Sequence, residues 1–236
     1  MREPRPNIAF AGLTAAGKTT HAKLLAEDLG YEYVSATEII LELTGLKGDP
    51  NKAWLNNYDQ IEKAREGDGI DIELERRVTD LASSKDGLIL DTWAMAYIFK
   101  GPLIRIWLES DRVSRARKCY VSQGEEKARD IDACEELVAR KDTETRDKFQ
   151  NRLKFDLFTD MTRYDAIIDN TRFIPQATDA ISKEGIRQFR PVVLDVAAYL
   201  IETATSPQGG IEQNPAELSD RHGPMVHYVC DRPWSF

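Results

Sequence analysis

Short apolar runs, separated by longer stretches whose apolar residues recur every third or fourth position, organise this chain. Ile8-Ala9-Phe10-Ala11 is the first run; after a loop from Gly12 to Thr19, helical spacing covers Thr20 to Leu29. Gly30 supplies a helix stop, Tyr31 to Ser35 alternates toward strand, and Ala36 to Leu43 returns to helical spacing. Gly87 to Asp91, Leu103 to Leu108 and Asp165 to Asp169 repeat the continuous apolar pattern, the mark of a strand covered on both faces. Five strands with helices between them predict an α/β protein: a five-stranded parallel sheet in a three-layer α/β/α arrangement with right-handed crossovers.

Two long intervals interrupt this alternation. Gly45 to Gly69 is broken by glycines and Pro50, with Trp54, Leu55, Tyr58 and Ile61 forming a short helical face. Asp71 to Ser83 sets Ile72, Leu74, Val78 and Leu81 among charges, as an amphipathic helix does. Together they predict a flap over about 36–83. Asp111 to Asp160 is helical in pattern and rich in cations, among them Arg112, Arg115, Arg117, Lys118, Lys127, Arg140, Lys141 and Arg146, and it predicts a lid over about 112–156. Pro175 to Arg187 and Pro191 to Ile201 read as two further helices. The second is strongly apolar on one side, a surface to be covered by the core or by a second copy of the chain in a homodimer. From Ser206 the composition shifts to Gly, Pro, Asn and Asp, so residues 1–190 read as the main domain and 191–236 as a C-terminal helix with an irregular extension. His222 and His227 in that extension either fold over a substrate or belong to a packed terminus.

Charge narrows the partners. A net charge of -8 over 236 residues argues against a nucleic-acid surface, which needs clustered Lys and Arg in excess, and points to a small partner. No apolar run is long enough to span a membrane, and none follows the N-terminus as a signal peptide would, so a cytoplasmic protein is expected. Cys119, Cys134 and Cys230 lie far apart without metal-ligand spacing and read as free thiols.

Gly12-Leu13-Thr14-Ala15-Ala16-Gly17-Lys18-Thr19 fits the Walker A pattern and has the required context, strand before and helix after. Its glycines let backbone N–H groups turn toward phosphate oxygens; Lys18 reaches the β- and γ-phosphates and the Thr19 hydroxyl ligates Mg²⁺. Asp91 ends the third strand at the same sheet edge. Three roles are open to it: holding Mg²⁺ through water, taking the proton of an attacking hydroxyl, or capping the following helix. Trp93 stacks on a base or sugar, or belongs to the core. No Asn-Lys-x-Asp segment follows the fourth strand, which argues against a GTP-specific switch.

From about Asn7 to Thr171 the chain resembles the nucleoside monophosphate kinases among the P-loop kinases, and most of all the archaeal-type cytidylate kinases. The resemblance rests on the Gly12 to Thr20 loop, on Tyr33 to Ile39, on Ile70 to Arg77, and on Arg146 to Asp156 with Tyr164 to Asp169. It implies a P-loop kinase fold with ATP and Mg²⁺ as cofactors. The nucleotide would be held by Gly12, Thr14, Ala15, Ala16, Gly17, Lys18, Thr19, Thr20 and Arg115, and the metal by Thr19 and Asp91. Ser35, Thr37, Asp71, Arg76, Arg77 and Trp93 would bind the acceptor, and Lys18, Asp91, Arg140 and Arg146 would be catalytic. Two acceptor arginines of that family are missing: Glu38 to Glu42 contains none, and Asp91-Thr92-Trp93-Ala94-Met95 contains none. Arg65, Arg76 and Arg77 are the replacements within reach of the flap. Three readings follow: an ATP-dependent kinase of a pyrimidine nucleoside monophosphate, a kinase of a hydroxyl-bearing small molecule with Asp91 as base, and an ATP-binding regulatory module without acceptor.

Overall fold

The computed structural model describes residues 5–50, 52–124, 128–205 and 215–229. Strand β1 (Ile8–Ala11) is buried along its whole length and leads through the glycine loop into α1 (Lys18–Leu29), which stops at Gly30 in the left-handed region, φ 62°. Strand β2 (Glu32–Ser35) passes directly into α2 (Ala36–Thr44), because the Ser35 hydroxyl accepts the Glu38 N–H at 3.2 Å and caps the helix. Helices α3 (Ala53–Asn56), α4 (Tyr58–Ala64) and α5 (Gly69–Ser84) complete the segment expected to form a flap, and β3 (Leu88–Asp91) returns the chain to the sheet.

The short helix α6 (Met95–Ile98) precedes β4 (Ile104–Glu109). Two helices then span the segment expected to form a lid, α7 (Arg112–Ser122) and α8 (Ile131–Leu153), capped by the carboxylates of Asp111 and Asp130 respectively. Strand β5 (Ala166–Asp169), α9 (Asp179–Thr205), α10 (Pro215–His222) and β6 (Val226–Val229) follow.

The sheet order is β2-β3-β1-β4-β5-β6. The first five strands are parallel, as the apolar runs predict. A sixth strand, absent from the sequence expectation, pairs antiparallel with β5 at the edge. It lies in the segment expected to be irregular, where turn-forming residues obscure a short strand that only long-range pairing reveals. The tail packs on the core: His222 bonds Asp195 at 2.9 Å and His227 bonds Asp169 at 3.1 Å. Strand alternation divides the core between two layers. Ile8 and Phe10 face α1 and α9, while Ala9, Leu88 and Leu90 face Val78 and Ala82 of α5 with Met95 and Phe99. Because the chain runs from β1 outward on one side and later crosses to the other, the loop after β1 lies at the reversal of strand order, where such sheets open a crevice.

One helix stands where two are expected. Pro191 is inside α9 at an exposed position, so the Arg187 carbonyl it leaves without a helical partner can meet water. The apolar side of this helix, including Val192, Val193, Val196, Ala197 and Leu200, is buried on the chain's own core. A second subunit is therefore not needed to cover it. Cys119 and Cys134 are free and buried. No helix among the described residues is long and apolar enough to cross a membrane. Lys127, residues 206–214, Cys230 and everything after it lie outside the described residues, as does the Trp54 side chain.

Helix α9 approaches the turn after β5 closely enough that a Cβ on Gly185 would stand 2.2 Å from the Phe173 carbonyl oxygen. Gly185→Ala is expected to cost about 1–3 kcal/mol of stability despite alanine's better helix propensity. Urea denaturation reads this as a lower midpoint; a variant as stable as its parent would contradict the close approach.

Candidate active site

The loop between β1 and α1 has the backbone of an anion cradle. Gly12 sits at φ 151° with the Leu108 carbonyl oxygen 2.5 Å from where a Cβ would stand, and Gly17 sits at φ 100°. Between them Ala15 adopts φ 62°, a left-handed conformation that alanine visits rarely. Such turns direct successive N–H groups toward one hollow, and α1, starting at Lys18, adds its positive dipole end. The Lys18 ammonium donates to the Leu13 carbonyl at 2.9 Å and lies 5.2 Å over the Trp93 ring. Desolvation lowers its pKa to about 8, although Asp91 and Asp142 oppose the shift.

Asp91 is tied to the loop. Its Oδ2 accepts the Thr19 hydroxyl at 2.5 Å and the Tyr33 hydroxyl at 3.0 Å. Trp93 Nε1 donates to the Gly12 carbonyl at 2.8 Å. The lid reaches the loop from the other side: Asp142 of α8 accepts the Thr14 N–H at 2.8 Å and pairs with Arg115 of α7 at 2.5 Å, and Arg115 also donates to the Thr14 carbonyl. Both partners are close to fully buried, so the pair is held away from solvent competition. Lys118 donates to Ser110 Oγ at 2.8 Å and to Asn170 Oδ1, while Asn170 Nδ2 donates to the Ala16 carbonyl at 2.8 Å. The ends of β4 and β5 are thus clasped onto the loop. Burial brings Lys118 down to about 7. Lys141 falls to about 7 as well, by burial first and then by the charge of Lys18.

A cavity of about 660 Å³ follows the loop. Its lining includes Lys118, Asn170, Ile186 and Phe189 on the side of α7 and α9. It also includes a chamber beside α2, α4, α5 and α8, with Ile40, Ile61, Val78, Met95 and Phe149 as apolar wall. The chamber's charges are mutually paired: Arg65 with Asp71 and Glu62, both at 2.7 Å, Lys148 with Glu62 at 2.7 Å, and Arg152 with Glu75. Asp71 is 2 % exposed, and its Oδ2 has no hydrogen-bond partner, with the Lys148 ammonium 3.7 Å away.

Of the residues singled out in the sequence, Thr14, Ala15, Gly17, Lys18, Thr19, Thr20, Thr37, Asp71, Asp91 and Trp93 line this one cavity. Gly12 and Ala16 belong to its loop, and Arg115 stands behind the loop, where Asp142 holds it. Ser35 is buried, with its hydroxyl spent on capping α2. Four arginines are not brought to the cavity. Arg76 pairs with Glu73 and Asp80, and Arg77 with Glu73 and Glu42. Arg140 meets Asp59 at 3.4 Å and Arg146 meets Asp156, both with side chains about half exposed. Carboxylates one helical turn away, or across a short gap, capture these long side chains first.

Lys118 and Lys141 were counted among the cations of the expected lid but given no place in the site, and Asp142 and Tyr33 were given none either. A signal existed for Lys141: it continues the buried Cys134, Leu137 and Val138 face of α8 at helical spacing, an inward position where a lysine is unexpected. No local pattern marks Asp142, whose partners lie far away in the chain.

A parallel sheet with a Walker A loop at its reversal point, an aspartate bonded to the loop threonine, and helical insertions closing over both defines a P-loop phosphotransferase. The chain matches the Cytidylate kinase-like family over residues 7–172 and belongs to that family. It is similar to the cytidylate kinase of Natronomonas pharaonis, at 28% identity over 185 residues covering 78% of this chain and 91% of the relative. It is also similar to that of Methanobrevibacter smithii, at 34% identity over 137 residues covering 58% and 74%. In fold it is similar to an uncharacterised protein from Eubacterium ventriosum, at 14% identity and a TM-score of 0.50, covering 81% of this chain and 99% of that one. The protein is an ATP-dependent kinase.

Lys118 and Lys141 titrate near 10.5 when unfolded and near 7 when folded, so the unfolded chain binds more protons across that interval. Stability of the ligand-free protein is therefore present above the unfolded value and lost as pH falls toward the folded one. The urea midpoint is expected to rise between about pH 7 and about pH 8.5. A midpoint that falls over this window would contradict the desolvation of these lysines.

Proposed function

We propose that the protein transfers the γ-phosphate of Mg²⁺-bound ATP to a pyrimidine nucleoside monophosphate, with cytidine monophosphate the best-fitting acceptor. The observation that carries this reading is a single cavity lined by Lys18, Thr19 and Asp91 together with Lys118 and Asn170 and with the apolar residues of the flap helices. Loop amides and Lys18 bind the donor phosphates, leaving the donor base for the side of Lys118 and the acceptor for the chamber under the flap. Thr19 and Asp91 offer the hydroxyl and carboxylate oxygens that suit Mg²⁺, and their direct bond marks them as neighbours at the loop. Bound there with ATP, the ion neutralises charge on the phosphates.

The chamber supports an amino-bearing base. Asp71 Oδ2 is a buried acceptor without a hydrogen-bond partner, a group that gains from an exocyclic amine and is penalised by a carbonyl. Arg65 beside it supplies donors to a ring nitrogen or carbonyl. A hydroxyl acceptor with Asp91 as base is not favoured, since Thr19 and Tyr33 already donate to the same Asp91 oxygen and bind it to the loop. An acceptor-free module is not favoured either, because it gives the chamber no purpose.

A coupled assay with ATP, Mg²⁺ and cytidine, deoxycytidine, uridine or adenosine monophosphate tests the reading. The cytidine compounds are expected to exceed the other two in kcat/KM by about tenfold or more, and Lys18→Ala to lower kcat by about a hundredfold or more. No turnover with any of the four would rule out the nucleotide acceptor.

A further inference from the structure

The chain beyond residue 172 lies outside the stretch that matches the family, and phosphate transfer by itself asks nothing of its last described elements, α10 and β6. One residue of this tail nevertheless reaches the end of β5. Strand β6 sets Val226 opposite Ile168 and Tyr228 opposite Ile167, so His227 between them is an extra residue in the ladder. A bulge of this kind re-aims the side chain it carries. His227 meets Asp169, the last residue of β5, with Nε2 3.1 Å from Oδ2. An ionised carboxylate only accepts, so the imidazole is the donor. Burial works against charge on Asp169, but the bonds from Thr171 and His227 hold its pKa below the ordinary carboxylate value.

Asp169 in turn holds a junction. Its Oδ1 accepts the Thr171 N–H at 2.7 Å, which closes a turn around Asn170. From that turn Asn170 Nδ2 donates to the Ala16 carbonyl at 2.8 Å, and Thr171 Oγ1 accepts the Asp111 N–H at the start of α7 at 2.9 Å. Lys118, bonded to Asn170 Oδ1, reaches the same Ala16 carbonyl at 3.4 Å. A peptide group is planar and trans, so a carbonyl held at Ala16 by Asn170 and Lys118 points the Gly17 N–H the opposite way. Gly17 lines the cavity. We infer that Asp169 and His227 are positioning residues for the bound triphosphate: the tail strand sets the Asn170 turn, and the turn sets the Ala16–Gly17 peptide whose N–H meets phosphate. The inference needs ATP at the loop and no particular acceptor.

Calorimetric titration of the full chain with ATP and Mg²⁺ reads the effect without an acceptor, so failure here and failure of the acceptor reading are distinguishable. His227→Ala is expected to weaken ATP binding about fivefold, and His227→Gln, whose amide N–H stands in for the Nε2–H, to return it to within about twofold of the parent. Asp169→Ala, which frees the turn as well, is expected to lose about twentyfold or more. Inorganic tripolyphosphate will show the same relative losses as ATP, because the peptide meets phosphate and not the base. The His227 side chain is 45 % exposed, so its truncation is expected to move the melting temperature by no more than about 3 °C, which separates lost affinity from lost folding. Parental ATP affinity in His227→Ala would overturn the inference. So would a loss that His227→Gln leaves unrepaired, or one confined to ATP with tripolyphosphate unaffected.

Discussion

Three ammonium groups taken out of bulk water around one glycine loop are the constraint on which this structure depends. Lys18, Lys118 and Lys141 each have a lowered pKa with desolvation as the largest cause, and for Lys141 the charge of Lys18 deepens it. A folded protein gains little by such an arrangement in isolation. Its energetic logic is completed by a polyanion, whose binding returns the lost solvation as direct contacts and stabilises the folded state by mass action. The fold is arranged to hold these cations. Gly12 lets β1 pass against the Leu108 carbonyl, Asn170 and Lys118 clasp the loop from the ends of β5 and β4, and Asp91 fixes Thr19.

The lid belongs to this arrangement as fully as the loop does. Helices α7 and α8 contribute Arg115, Lys118, Lys141 and Asp142, all turned toward the loop, whereas Arg140 and Arg146 of α8 face carboxylates outside. Asp142 on the Thr14 amide sets the distance between lid and loop. The flap helices contribute the opposite wall, apolar apart from its paired charges, and under the proposed function an acceptor entering there would leave water behind as it meets the cations. Exclusion of water strengthens each of those contacts.

Much of the scaffold was legible because local rules dictate it. Continuous apolar runs give parallel strands, and the Gly12 to Thr19 spacing gives the loop. The tail strand and the unbroken α9 were not legible, since pairing across the sheet and solvent access at Pro191 are tertiary facts. Within the site, most of the loop residues, Asp91 and Asp71 were singled out by pattern or resemblance, and they line one cavity. The lid was harder. Its charges look alike in the sequence, and arginine drew attention by chemical type, yet Arg140 and Arg146 are taken by nearer carboxylates, as Arg76 and Arg77 of α5 are. Lys141 and Asp142 are selected by the direction in which α8 presents them, which depends on where the helix docks.

Proton linkage tests the central claim most directly, because it reports the charge of these lysines without relying on any acceptor. Calorimetric titration with ATP and Mg²⁺ at about pH 8, in two buffers of different ionisation enthalpy, yields the number of protons exchanged on binding. If the three desolvated lysines are recharged by the bound phosphates, binding takes up about two protons per nucleotide. Binding of ATP with no uptake, or with release of protons, would contradict the account.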